Sequence, residues 1–173
     1  MKTGRVYFYL SVFLFILSST TAFAAGKSVR PCATADLVGT WDMKSINSKI
    51  KAGPNDAFVW PYQRFTFDAR GGVKQIASVK PLEQDKKSLD RFNNELTTSL
   101  YHVDAKGVLT ISKLESPTPE RCLCAYVVAD VPAEVIAKVP EAKRANLPQK
   151  GNVALTYVNA KGKPVLVKAL KKI

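Results

Sequence analysis

"ATADLVGTWDM", residues Ala33 to Met43, decides the fold of this chain: a short apolar turn leads through Gly39 into a tryptophan, and the residues that follow alternate. In "GTWDMKSI", Trp41, Met43 and Ser45 share one face of an extended segment. The same alternation returns downstream. "YQRFTFDA" sets Phe65 and Phe67 on one side and Arg64 and Thr66 on the other, and "GVKQIASV" follows across Ala69-Arg70-Gly71-Gly72, a turn of hairpin length. A second pair, "TTSLYHV" and "GVLTISKL", flanks Asp104-Ala105-Lys106-Gly107, and a third, "NVALTYV" and "PVLVKAL", flanks Asn159-Ala160-Lys161-Gly162. The similarity of "VDAKGVL" to "VNAKGKPVL" is one turn chemistry used twice, with glycine supplying a positive φ, rather than an internal duplication. With "CLCAYVVA" added there are about eight strands, a number that can close a sheet and remove its unpaired edges. The predicted fold is mainly β, an antiparallel up-and-down barrel of about eight strands with one or two short helices.

Two connections are longer. "PLEQDKKSLDRFNNEL" spaces Leu82, Leu89, Phe92 and Leu96 along one face of a helix with charge on the other. "DVPAEVIAKVPEAKRANLP" opens with a proline tolerated in a first turn and is cut by Pro140, which predicts two short helical pieces. "ESPTPER", residues 115 to 121, reads as a loop because Pro117 and Pro119 would break a ladder.

The chain begins with Lys2 and Arg5, an apolar run from Val6 to Leu17 and a small-residue exit. Ala22-Phe23-Ala24 suits a signal peptidase, so residues 1–24 are expected to be a cleaved signal peptide, 25–33 an N-terminal segment and 34–173 one barrel domain. The run is shorter than the ~20 apolar residues of a spanning helix, and no second long apolar segment follows. A periplasmic or secreted location without a transmembrane segment is the expectation. Cleavage removes Lys2 and Arg5 and no acid, leaving 24 basic against 14 acidic side chains, a charge of +10. The basic residues are dispersed without a nucleic-acid motif, so they read as a solvated surface and no nucleic-acid partner is expected.

A short turn followed by Gly-x-Trp on the first strand and then a meander of hairpins resembles the bacterial lipocalin-like domains, small β-barrels of the calycin type. Leu37, Gly39 and Trp41 carry the match. In that family the tryptophan closes the barrel base against a basic side chain near the last strand; "VKALKK" offers Lys168 or Lys171 where arginine is more usual. The resemblance thus implies a barrel-closing set of Gly39, Trp41 and Lys168. Besides that lysine, it departs from the family in the position of the later helix-like segment, which precedes the last hairpin, whereas lipocalins carry their helix after the eighth strand; this leaves the strand order open.

Three cysteines remain after signal removal, Cys32, Cys122 and Cys124. In an oxidising compartment the preferred bridge ties Cys32 to Cys122 or Cys124, which share a strand face and are awkward partners for each other. A soft-metal or redox set of Cys32, Cys122, Cys124, Met43 and His102 is a weaker alternative, because one histidine in the chain does not give the paired spacing of structural metal sites. No metal and no cofactor are expected. His102 has no partnered nucleophile, and the carboxylates, such as Asp68, Asp104 and Glu134, sit in turns or beside lysines, so no general acid and base can be assigned and the protein is read as a non-enzyme. Trp41, Phe65, Phe67, Tyr126 and Tyr157 fall on strands whose alternation could aim them inward, where they either fill the core or hold one small ligand. Trp60 and Tyr62 stand ahead of the second strand as a rim or as an ordinary loop cluster. The preferred function is binding of a small apolar or amphipathic molecule inside the barrel. The alternative is a non-enzymatic interaction module, protease-inhibitor-like or part of an envelope assembly, with a side-chain-filled barrel and a protein partner.

Overall fold

The computed structural model describes residues 28–50, 56–114, 116–144, 147 and 149–173. The proposed signal peptide and its cleavage site lie outside them.

Among the described residues nine strands form: β1 (Val29–Pro31), β2 (Gly39–Ser48), β3 (Tyr62–Phe67), β4 (Gly72–Ser78), β5 (Ser99–Val103), β6 (Val108–Lys113), β7 (Glu120–Val127), β8 (Val153–Val158) and β9 (Pro164–Lys172). Strands β2 to β9 pair antiparallel in chain order, and β9 pairs back onto β2, so eight strands close a simple up-and-down barrel. The strand order that the chain left open is a plain meander. The extra strand is β1, whose Pro31 pairs with Ala125 on the β7 edge just beyond the last β6 partner, Leu123.

The three short hairpins share one device. Asp68, Asp104 and Asn159 each accept two backbone N–H bonds on Oδ1, from Arg70 and Gly72, from Lys106 and Val108, and from Lys161 and Lys163. The fourth residue of each turn is a glycine with φ between 71° and 89°. The side chain replaces the backbone acceptor that a tight turn lacks, and glycine takes the left-handed conformation without steric cost.

One strand departs from simple alternation. Between Met43 and Ser45 the β2–β9 register shifts, leaving Lys44 as a bulge. The expected inward Ser45 is replaced by Ile46, which packs against the core opposite Lys168. A bulge inserts one residue, and every later side chain of that strand changes face.

The β4–β5 connection carries a 3-10 turn (Leu82–Gln84) and helix α2 (Lys86–Asn94), while helix α1 (Thr34–Leu37) precedes β2. Asp85 caps α2 by accepting from Ser88 N, and its other oxygen accepts from Ser78 Oγ at 2.8 Å, which ties the helix start to the end of β4. Phe92 and Leu82 bury against Ile76 on the outer face of β4. Leu96, expected on the same helical face, lies beyond the helix and is 85% exposed. Pro140 divides the later segment as expected, into α3 (Ala133–Ala137) and α4 (Glu141–Arg144). No helix among the described residues is long and apolar enough to cross a membrane.

Candidate functional site: a barrel closed at one end and split at the other

At the closed end α1 sets Leu37, fully buried, under the first turn of β2. Gly39 then turns the chain with φ +126°, and the Trp41 ring enters the barrel at 1% exposure, its Nε1 donating to Leu37 O at 2.6 Å. Burying an indole leaves one donor to satisfy, and the carbonyl at the end of α1 satisfies it. Asp36 holds α1 in place. Its carboxylate accepts from Ala33 N and forms a two-bond pair with Arg30 at 2.6 Å, and those bonds hold its acid below the usual carboxylate range. The cation over Trp41 is Lys172, with Nζ 5.7 Å from the ring centroid and its stem crossing Gly39. Lys168, the residue given that role from the sequence, is two inward side chains earlier on β9 and meets Phe58, Phe65 and Tyr157 instead.

Cys32 bonds to Cys124, with Cα atoms 5.4 Å apart. The choice over Cys122 follows from register, because Cys32 N donates to Cys124 O at 3.0 Å directly after the β1–β7 pairing, whereas Cys122 faces Leu109 of β6. Cys122 stays a buried thiol, pushed up to about 12 by desolvation, with the Tyr157 hydroxyl against it. Tyr157 is likewise raised well above its ordinary value, first by burial.

Of the aromatic candidates, Phe65 and Phe67 stack with centroids 6.1 Å apart, Phe67 meets Tyr101 edge-on at 4.9 Å, and Tyr157 meets Phe58 edge-on at 4.7 Å. Tyr126 is only half-buried and lies beneath the Arg30 guanidinium, 4.9 Å away. Trp41, Phe65 and Phe67 therefore fill the closed half of the barrel, and Tyr126, opposite Val153, packs partly buried against the same core.

The other end is different. β4 and β5 share only two residue pairs, Gly72 with Leu100 and Val73 with Ser99, and then part. The outer face of β4 is taken by α2, and the chain must travel round that helix before β5 begins, so the ladder cannot continue. The gap is a cleft of about 470 Å³ lined by Phe58, Trp60, Val73, Gln75 and Ala77, with Lys113, Glu120, Arg91 and Leu96 among the polar and exposed residues around it. Val73, Gln75 and Ala77 register with the inward residues Phe67, Phe65 and Gln63, while Lys74 and Ile76 line the cleft from the outer face, so it runs along the unpaired edge of β4. Lys113 and Glu120 form an ion pair within it. Trp60 is a lining residue as a rim would be; Tyr62 is exposed on β3 and outside the lining.

Behind Phe58 sits Lys168, 0% exposed. Its Nζ donates to Gln63 Oε1 at 2.9 Å and lies 4.1 Å from the Phe58 centroid, 5.3 Å from Tyr157 and 5.7 Å from Phe65. Gln63 Nε2 points the other way, its two N–H groups shared among the carbonyls of Ala57, Phe58 and Trp60. Burial lowers Lys168 to about 8, against the opposing pull of Glu120. Alternation along β9 puts Lys168 on the buried face with Leu166 and Leu170; what sequence reading missed is its partners, because Phe58 and Gln63 come to it from the β2–β3 connection and β3. Among the described residues no group of three or more histidine, cysteine or acidic side chains could hold a metal ion, and His102 is exposed on β5.

No protein-family model, curated protein or solved structure matches the chain.

Proposed function

We propose that this is an exported lipocalin-like protein that binds a small apolar or amphipathic molecule inside the barrel, through the cleft between β4 and β5. The observation that carries the reading is the cleft itself: about 470 Å³ along the unpaired edge of β4, in a barrel whose other end is packed. That volume falls within the range of small-molecule sites, about 300 to 1,000 Å³. Apolar lining from Phe58, Val73 and Ala77 supplies affinity by burial, at roughly 25 cal/mol per Å², and polar groups at its margins orient the ligand. The Cys32–Cys124 bridge fits an oxidising, extracytoplasmic location. The protein is read as a binder without catalytic activity, since its sequence offers no nucleophile paired with a base.

Solvent extraction of the natively purified protein followed by mass spectrometry tests the proposal. A stoichiometric amphiphile, lost when Ala77→Trp fills the cleft, is the expected result; an empty barrel that also fails to take up a fluorescent apolar probe would count against it. The competing reading, an interaction module, draws on Leu96 and Leu114, each 85% exposed near the open end. Partner capture from the native envelope that disappears with Leu96→Ser and Leu114→Ser, in a protein carrying no extractable ligand, would favour that reading instead.

A further inference from the structure

Buried charges are ordinarily paired, because removing an ion from water costs several kcal/mol unless an opposite charge or a full set of hydrogen bonds replaces the solvent. Lys168 breaks that rule. Its ammonium has three N–H donors and, among the described residues, one acceptor, Gln63 Oε1. Glu120 is within electrostatic reach but is paired with Lys113. The remaining surroundings are ring faces, which stabilise a cation in part and leave its charge uncancelled. At neutral pH the amine still carries its proton, since burial lowers it only to about 8.

The orientation of Gln63 is fixed rather than incidental. Turning its amide over would aim Nε2 at the ammonium and Oε1 at the three carbonyls of the 57–60 turn, replacing four favourable contacts with four repulsive ones. Gln63 thus holds both the lysine and the turn that carries Phe58. Phe58 lines the cleft on one account and covers Nζ on the other, which makes its ring the partition between them.

We infer that Lys168 is the internal anchor for the carboxylate of an amphipathic ligand, which enters the β4–β5 cleft headgroup first, turns the Phe58 ring aside and leaves its hydrocarbon chain against Val73 and Ala77. The inference rests on the container reading above and names its ligand class. A carboxylate fits better than a phosphate: two spare N–H donors match two oxygens, while the other neighbours are arenes and the Tyr157 hydroxyl already meets Cys122. Lys113 offsets the repulsion that Glu120 would exert on the entering anion.

Dodecanoate and dodecanol, titrated calorimetrically at pH 7 into the purified protein and into Lys168→Met, separate the two ideas. In the variant, dodecanoate binding is expected to weaken by about tenfold or more, while dodecanol binding changes by less than about twofold. Dodecanol uptake also reports that the variant has folded. Equal dodecanoate affinity in both proteins overturns the anchor and leaves the container standing. Equal loss of both amphiphiles in a variant with a native near-UV circular dichroism spectrum also overturns it. Failure of the wild-type protein to bind either compound overturns the container and the anchor together.

Discussion

Lys168 keeps a proton inside the barrel, where an apolar side chain of similar volume would avoid desolvating a charge at the expense of the bond to Gln63 Oε1. Its native pKa, about 8, lies below the ordinary 10.5, so between those values the unfolded chain binds a proton that the native protein does not. Stability contributed by this residue therefore rises with pH across that window, by about 3 kcal/mol, and the cost is fully present below pH 8. Lys168→Met should be more stable than wild type at pH 7 by a similar amount and should lose that rise, as read by urea unfolding at pH 7 and pH 10. Cys122 acts in the opposite sense: its native pKa is raised from 9.0 to about 12, so its contribution is complete below pH 9 and is lost as pH climbs toward 12. Tyr157, also raised, opposes Lys168 in the same direction. Lys113, Glu120 and Asp56 also act on the lysine and are common to both proteins, whereas Cys122 and Lys168 act on each other, so the difference reports the lysine together with its effect on that thiol. Cys122 itself should be silent to a thiol reagent such as DTNB in the native state and should react with one equivalent once denatured, because burial and a raised pKa both withhold the thiolate. Rapid labelling of the folded protein would contradict this placement.

At the scale of elements, the entry "LVGTW" works through backbone geometry as much as through the indole. Gly39 has φ +126°, a region that L-residues with a Cβ rarely occupy, and a Cβ there would stand 2.6 Å from Lys172 Cε. The lysine stem can move, but the backbone conformation cannot be adopted cheaply. Gly39→Ala is expected to destabilise by about 1 to 3 kcal/mol, measured as a shift in the denaturation midpoint. Lys172→Met, which removes only the cation above the ring, should cost no more than about 1 kcal/mol. Much of this level was legible beforehand. The strand pairs, the glycine turns and the proline-cut helices follow from local periodicity and turn chemistry, which depend on residues a few positions apart. Ser45 and Leu96 were misplaced for the same reason. A bulge and a helix end are settled by what lies across the sheet, and neither leaves a reliable local mark.

For the molecule as a whole, the disulfide joins the N-terminal arm to β7 across 92 residues of chain. In the chain-entropy account, closing a loop of that length stabilises by about 4 to 5 kcal/mol, although enthalpic terms move individual cases. Cys32→Ser should accordingly lower stability by several kcal/mol under oxidising conditions, and the reduced wild type should resemble it in a chemical denaturation series. A variant as stable as the oxidised protein would show that α1 and the barrel hold β1 in place without the bond. The two ends of the barrel also differ in kind. The closed end is a packed core of Trp41, Phe65, Phe67 and their neighbours, whereas the open end is a split wall beside an unpaired internal cation.

The sequence alone determined that the chain closes a meander of strands, that Gly39 and Trp41 open it, and that Cys32 bonds to one of two cysteines on a shared strand face, because alternation, turn residues and side-chain parity are local properties. Only the tertiary structure decided which cysteine, which lysine covers the tryptophan, and which side chains surround Lys168. Those outcomes depend on inter-strand register, and a shift of one residue exchanges the two faces of a strand. The cleft has the same origin: α2 occupies the outer face of β4, and the sheet opens where the detour round that helix ends its pairing with β5.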